Sequence, residues 1–145
     1  MTQQMHSPIL VLADQSGAHL TSLARQALTL AASLTSGDVV ALSVAPAPDV
    51  AALAELGVTR ILHADLGDAG HASVVASDAV IAALGTDSFG LVLLCSDYRG
   101  REIAGRVAAL TESGVISGAS SVSFDGGVLQ VGKTALGGSW SMGIV

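Results

Sequence analysis

Arg99, Arg101 and Arg106 make up half of the six Lys and Arg residues in this 145-residue chain, and they share one stretch, CSDYRGREIAGRVAAL, residues 95 to 110. The chemistry this set suggests is anion binding. Free N–H groups at a helix start, flanked by cationic side chains, hold phosphate or carboxylate, and the candidates are Ser96, Arg99, Gly100 and Arg101. From Gly100 the spacing is G-x-x-x-x-G-R. A phosphate-binding loop needs Lys and then Ser or Thr after its second glycine, whereas Arg106 and Val107 stand there. Ile103, Val107 and Leu110 also recur at helical spacing, which puts Gly105 inside a helix. Two other readings stay open: the edge of a partner interface, or a solvated helix start. In the second, Glu102 and Arg106, four apart, form an exposed pair worth about 0.3–0.5 kcal/mol.

Other catalytic signals are sparse. No serine sits in G-x-S-x-G, so there is no nucleophile elbow. His6, His19, His63 and His71 lack the close spacing of metal ligands, and no metal site or catalytic residue is assigned. Cys95 ends an apolar run and reads as a small buried hydrophobe rather than a reactive thiolate. Asp14 follows the first apolar run, where open α/β sheets gather ligands, although aspartate is also a common first residue of a turn.

The elements that must position these residues alternate regularly. PILVLAD reads as a buried parallel strand. Leu20, Leu23, Ala24, Ala27, Leu28, Ala31 and Leu34 then mark a helix from His19 to Leu34. DVVALSVAP is a second strand. Asp49 is placed to cap a short helix through Leu56, with Gly57 ending it. VTRILHAD is a third strand, 69 to 84 a helix, Phe89 to Cys95 a fourth strand and Arg99 to Glu112 a helix. Four strand–helix units in succession predict a three-layer α/β domain, with one parallel sheet and helices on both faces. The right-handed crossover rule gives the strand order 3-2-1-4.

After Gly114 the pattern turns to β-type runs, VISGASSVSF, VLQVGKTA and SWSMGIV, which predict a C-terminal β-meander. FDGGV marks its hairpin, since Asp-Gly supplies positive φ. No linker or repeat interrupts residues 1–145, so they form a single domain. The chain stops at Ile144-Val145 inside an apolar run, as the front piece of a longer protein would.

Composition excludes several classes. The formal net charge of −6 argues against nucleic acid, which is bound by clustered Lys and Arg. Long apolar stretches are broken before the roughly 20 residues that span a bilayer, and MTQQMHSPI is not a secretory signal. One cysteine precludes an internal disulfide. A cytoplasmic domain is expected.

The segment from Ser96 to Leu110, followed by Val115-Ile116-Ser117, resembles the N-terminal domain of the electron-transfer flavoprotein alpha subunit. ILVLADQSGAHLTSLARQALTLAASL is similar to that family's first strand and helix, GVTRILHAD to its third strand, and VGKTALGGSWSMGIV to the strands leading out of the domain. Gly105 departs from the pattern, standing where the family usually carries proline, and Gly137-Gly138-Ser139-Trp140 follows it only loosely. The resemblance implies an adenine-nucleotide-hydrolase-like fold and a scaffold that packs on a beta subunit, whose similar fold holds AMP. It implies FAD in a C-terminal alpha domain beyond this sequence, none in residues 1–145, and no catalytic site here. The assembled heterodimer would carry electrons from dehydrogenases to a quinone oxidoreductase or other acceptor. The alternative is a free-standing nucleotide-binding domain of the universal-stress-protein type, whose glycine-rich phosphate motif SDYRGREIAG lacks.

Overall fold

A computed structural model of the protein describes residues 3–67, 69, 72–133 and 140–144. His71 and residues 134–139, which include the Gly137-Gly138-Ser139 segment, lie outside them. The strands are β1 (Ile9–Leu12), β2 (Gln15–Ser16), β3 (His19–Leu20), β4 (Val39–Ser43), β5 (Arg60–His63), β6 (Leu91–Cys95), β7 (Gly114–Asp125), β8 (Val128–Lys133) and β9 (Trp140–Ile144). The helices are α1 (Ser22–Leu34), α2 (Val50–Glu55), α3 (Ser73–Leu84) and α4 (Tyr98–Thr111).

The main sheet has the order β5-β4-β1-β6-β9-β7-β8. β1 pairs in parallel with β4 and β6, Ile9 lying opposite both Val39 and Leu91, and β4 pairs in parallel with β5. These are the four expected strands in the expected order. Every residue of β1, β4 and β6 is buried, as strands covered on both faces must be, so they read as continuous apolar runs rather than alternating ones.

Side chains still alternate between two cores. Ile9, Val11, Val39 and Ala41 face α1, which contributes Ala24, Ala27, Leu28 and Ala31. Leu10, Leu12, Val40 and Leu42 face the other way, toward Ala76 and Val80 of α3 and Ile103 and Val107 of α4. Alanine supplies three of the five buried residues of α1, Ala24, Ala27 and Ala31, and no aromatic side chain is among the buried helix residues.

The three C-terminal strands are antiparallel, as expected of the β-type runs, and their order refines the meander. β8 returns beside β7, but β9 crosses back to lie between β6 and β7. The wholly buried β6 cannot leave a backbone edge unpaired, and β9 supplies that partner. Gly126 (φ 59°) and Gly127 (φ 79°) form the two-residue turn between the register partners Asp125 and Val128. Both central residues of such a turn need positive φ, so the Gly-Gly pair, rather than Asp-Gly, occupies it.

Two helix starts differ from the periodicity. α1 begins at Ser22, not His19, because residues 15–20 fold into the small β2–β3 hairpin around Gly17 (φ 61°). Thr21 then caps α1, its hydroxyl accepting from the N–H of Ala24 at 3.2 Å. α3 begins at Ser73, later than the expected residue 69. The α2 reading holds: Asp49 Oδ1 accepts from the N–H of Ala52, and Gly57 follows with φ 89°. Among the described residues no helix is long and apolar enough to cross a membrane.

Candidate functional site

From β1 the chain moves to β4 and β5 on one side, then returns to β6 on the other. The connections after β1 and β6 therefore diverge at the carboxyl edge, where such sheets open a crevice. A cleft of about 580 Å³ lies here, lined by Asp14 and Gln15 after β1, Val44 to Ala47 after β4, and Asp97 and Arg99 after β6. Gln15 fixes one wall. Its Oε1 accepts from the N–H of Asp49 at 2.9 Å, while its Nε2 donates to the carbonyls of Ala47 (3.0 Å) and Gly17 (3.2 Å).

An ion pair crosses the crevice. Arg99 Nη1 donates to Asp14 Oδ1 at 2.5 Å, the two side chains being 22% and 14% exposed. Burial raises the Asp14 carboxyl above its ordinary 3.8, and this outweighs the Arg99 charge and hydrogen bond, which act in the opposite direction; the nearby Asp97 charge adds to the rise. Cys95 sits beneath, 1% exposed. Burial, followed by the negative charges of Asp14 and Asp97, pushes its thiol up to about 12. A thiol held protonated is a poor nucleophile, so Cys95 should resist alkylation by iodoacetamide at pH 8 in the folded protein and react once urea unfolds it. Rapid native-state labelling would contradict this.

The four anion-site candidates do not converge on one point. Arg99 turns inward to Asp14, whereas Arg101 is exposed. Gly100 is buried, and its N–H donates to Asp97 Oδ1 at 2.7 Å, the cap of α4. A Cβ at Gly100 would lie 1.7 Å from the carbonyl oxygen of Cys95, so only glycine fits. Ser96 has a buried hydroxyl with no hydrogen-bond partner among the described residues. The G-x-x-x-x-G-R stretch lies within α4, as its apolar spacing requires.

One expectation for α4 is corrected. Arg106 reaches Asp78 of α3 at 3.9 Å instead of pairing with Glu102. α3 and α4 pack side by side on one face of the sheet, so the neighbouring helix offers the closer carboxylate. At Gly105, further along the same helix, an added Cβ would meet nothing within 4 Å.

The Asp14–Arg99 pair joins residues 85 positions apart. The signal that finds it is the strand order. With the first and fourth strands adjacent, their following loops share one edge, and an acid on one loop meets a base on the other. Among the described residues no three His, Cys, Asp or Glu side chains form a group able to hold a metal ion.

Among curated proteins none matches this chain. The family model described as the electron transfer flavoprotein domain matches residues 9–145, a span that starts at the first residue of β1 and takes in the strands and helices just built up. The chain therefore belongs to the electron transfer flavoprotein domain family.

Proposed function

We propose that this chain is the N-terminal scaffold domain of an electron-transfer flavoprotein alpha subunit, that it packs on a beta subunit, and that it does not itself hold flavin. In this reading FAD belongs to a C-terminal alpha domain. The heterodimer, working in the cytoplasm, takes electrons from dehydrogenases and passes them to a quinone oxidoreductase or another acceptor. The resemblance of residues 96–117 to the alpha subunit favours this side of the family.

The observation that carries the packing role is α3, whose twelve residues, SVVASDAVIAAL, hold one charged side chain, Asp78. A helix with so few polar residues is normally covered over most of its surface, yet Val74, one turn from the exposed Asp78, is 52% exposed, and Leu110 on the adjacent α4 is 58% exposed. The open surface at Gly105 lies on the same helix as Leu110 and leaves room for another backbone to approach.

The test is co-expression with an electron-transfer flavoprotein beta subunit. A stable complex is expected, while the protein purified alone should be colourless and should leave FAD fluorescence unquenched at micromolar concentration. Val74→Glu and Leu110→Glu, both at exposed positions, should weaken the complex at least about tenfold and change the melting temperature of the isolated protein little. A yellow isolated protein, or a complex indifferent to both substitutions, would refute this function.

A further inference from the structure

The sequence contains no asparagine and a single Asp-Gly pair, Asp125-Gly126. An aspartate followed by glycine is where a chain most readily rewrites its own backbone. The amide nitrogen after the aspartate attacks the side-chain carboxyl, and glycine, with no Cβ, puts nothing in its way. The fold sets this pair at an outer corner: Asp125 is the last residue of β7, Gly126 opens the turn with φ 59°, and both are exposed. The attacking nitrogen is held. The N–H of Gly126 donates to Gln3 Oε1 at 2.6 Å, across 123 positions of sequence. Gln3 sits on a tethered segment. Gln4 Nε2 donates to the Ser33 carbonyl at 3.3 Å, the N–H of Met5 donates to the Leu34 carbonyl at 2.7 Å, and the Met5 carbonyl accepts from the N–H of Ser36 at 2.8 Å.

We propose that Asp125-Gly126 is a self-modification site, converting to isoaspartate with water as its co-reactant, and that Gln3 is the clasp that slows the conversion. In the first step a bond forms between the Gly126 nitrogen and Asp125 Cγ, and water leaves with the carboxyl hydroxyl and the amide proton. In the second, water adds to one carbonyl of the resulting succinimide. Opening at the side-chain carbonyl restores aspartate. Opening at the backbone carbonyl leaves the original peptide bond broken and the chain running through the former side-chain carboxyl. The ring closes only if the peptide plane between Asp125 and Gly126 turns toward the side chain, away from the extended geometry of β7. The hydrogen bond from Gly126 to Gln3 is fixed to that plane and opposes the turn. The product has one extra carbon in its main chain, which displaces the pairing of Asp125 with Val128 and the ladder beyond it. Val122, Phe124, Leu129 and Val131 of that ladder pack against the core, so the hairpin loses its seat when the site converts.

The test is to age the purified protein at pH 7 in heavy-oxygen water and locate the label by peptide mass spectrometry. Passage through the succinimide leaves a heavy oxygen on the residue whether it reopens to aspartate or to isoaspartate. Label is expected to accumulate at Asp125 faster than at any other aspartate. Gln3→Ala should raise that rate about fivefold, the size of one neutral hydrogen bond. Gln3→Glu keeps an acceptor oxygen and should stay near the wild-type rate. Gln3 is exposed, so neither substitution threatens folding. In urea all three proteins should label at one common, faster rate, because the clasp exists only in the fold. Label spread evenly over the aspartates, an unchanged rate in Gln3→Ala, or Gln3→Glu as fast as Gln3→Ala would each overturn the proposal. So would a difference between the variants that survives in urea. These measurements need no beta subunit, so their outcome is separate from that of the heterodimer test.

Discussion

Gly100→Ala should destabilise the protein by about 3 kcal/mol or more, lowering the urea midpoint with little change in m-value. The cause is local and steric. The turn from β6 into α4 brings the carbonyl of Cys95 so close that an added Cβ would lie 1.7 Å from its oxygen and 2.9 Å from its carbon. That oxygen belongs to the last residue of a fully buried strand paired on both sides, so it cannot simply swing away. Relief would have to come from α4 lifting off the sheet. That would pull Ile103, Ala104 and Val107 out of the core they share with Leu10, Leu12 and Val92. It would also break the Asp97 cap and carry Arg99 away from Asp14. Gly105→Ala is the control on the same helix. A Cβ there meets nothing within 4 Å, so the change should stabilise by about 0.5–1 kcal/mol through helix propensity alone. Equal effects from the two substitutions would show that the close contact does not set the fold.

The contrast between these glycines also marks how far the sequence could be read. Both lie in one motif, and periodicity correctly places both in or beside a helix. Which of them is pressed against a carbonyl depends on the angle at which α4 leaves β6, and that is a tertiary fact. The parallel sheet was legible because its central strands are short apolar runs separated by amphipathic or alanine-rich helices, and because crossover handedness then permits few orders. The C-terminal strands were legible as elements but not in their order, since sequence pattern does not reveal which free edge a returning strand will complete. The small β2–β3 hairpin was missed because His19 and Leu20 extend the α1 stripe and mask the hairpin turn at Gly17. In the cleft, Asp14 and Arg99 each drew notice separately. The sequence leaves Arg99 open between an anion site, an interface edge and a solvated helix start, whereas its first-turn position carries it back over the end of β1 to Asp14. Arg106 was assigned to its own helix, because the proximity of α3 has no local signature.

The second large effect should come from Arg99→Leu, which at pH 7 is expected to cost about 3–5 kcal/mol, the penalty for stripping a buried carboxylate of its counter-charge. Asp14 is only 14% exposed, and Asp97, the other charged side chain near it among the described residues, is negative. With the guanidinium gone, the two influences of Arg99 that lowered its pKa vanish, and burial drives the carboxyl further above 3.8 than in the wild type. The sign of the pH dependence follows. Between 3.8 and its raised folded value, Asp14 binds more protons in the native state than in the unfolded state. Stability therefore falls as pH rises through that window, and the contribution of the neutral carboxyl is fully present only below it. The same slope exists in the wild type, but the larger shift in the variant makes it steeper and extends it to higher pH. The gap between the two proteins should accordingly be widest near neutrality and shrink on acidification toward pH 4. Urea denaturation across that range measures it directly. Adding Asp14→Asn to Arg99→Leu removes the uncompensated charge, so the double variant should recover much of the loss at pH 7 and show almost no pH dependence of the deficit. A loss that is constant with pH, or one that the second substitution deepens, would mean that Arg99 does not act by holding the charge of Asp14.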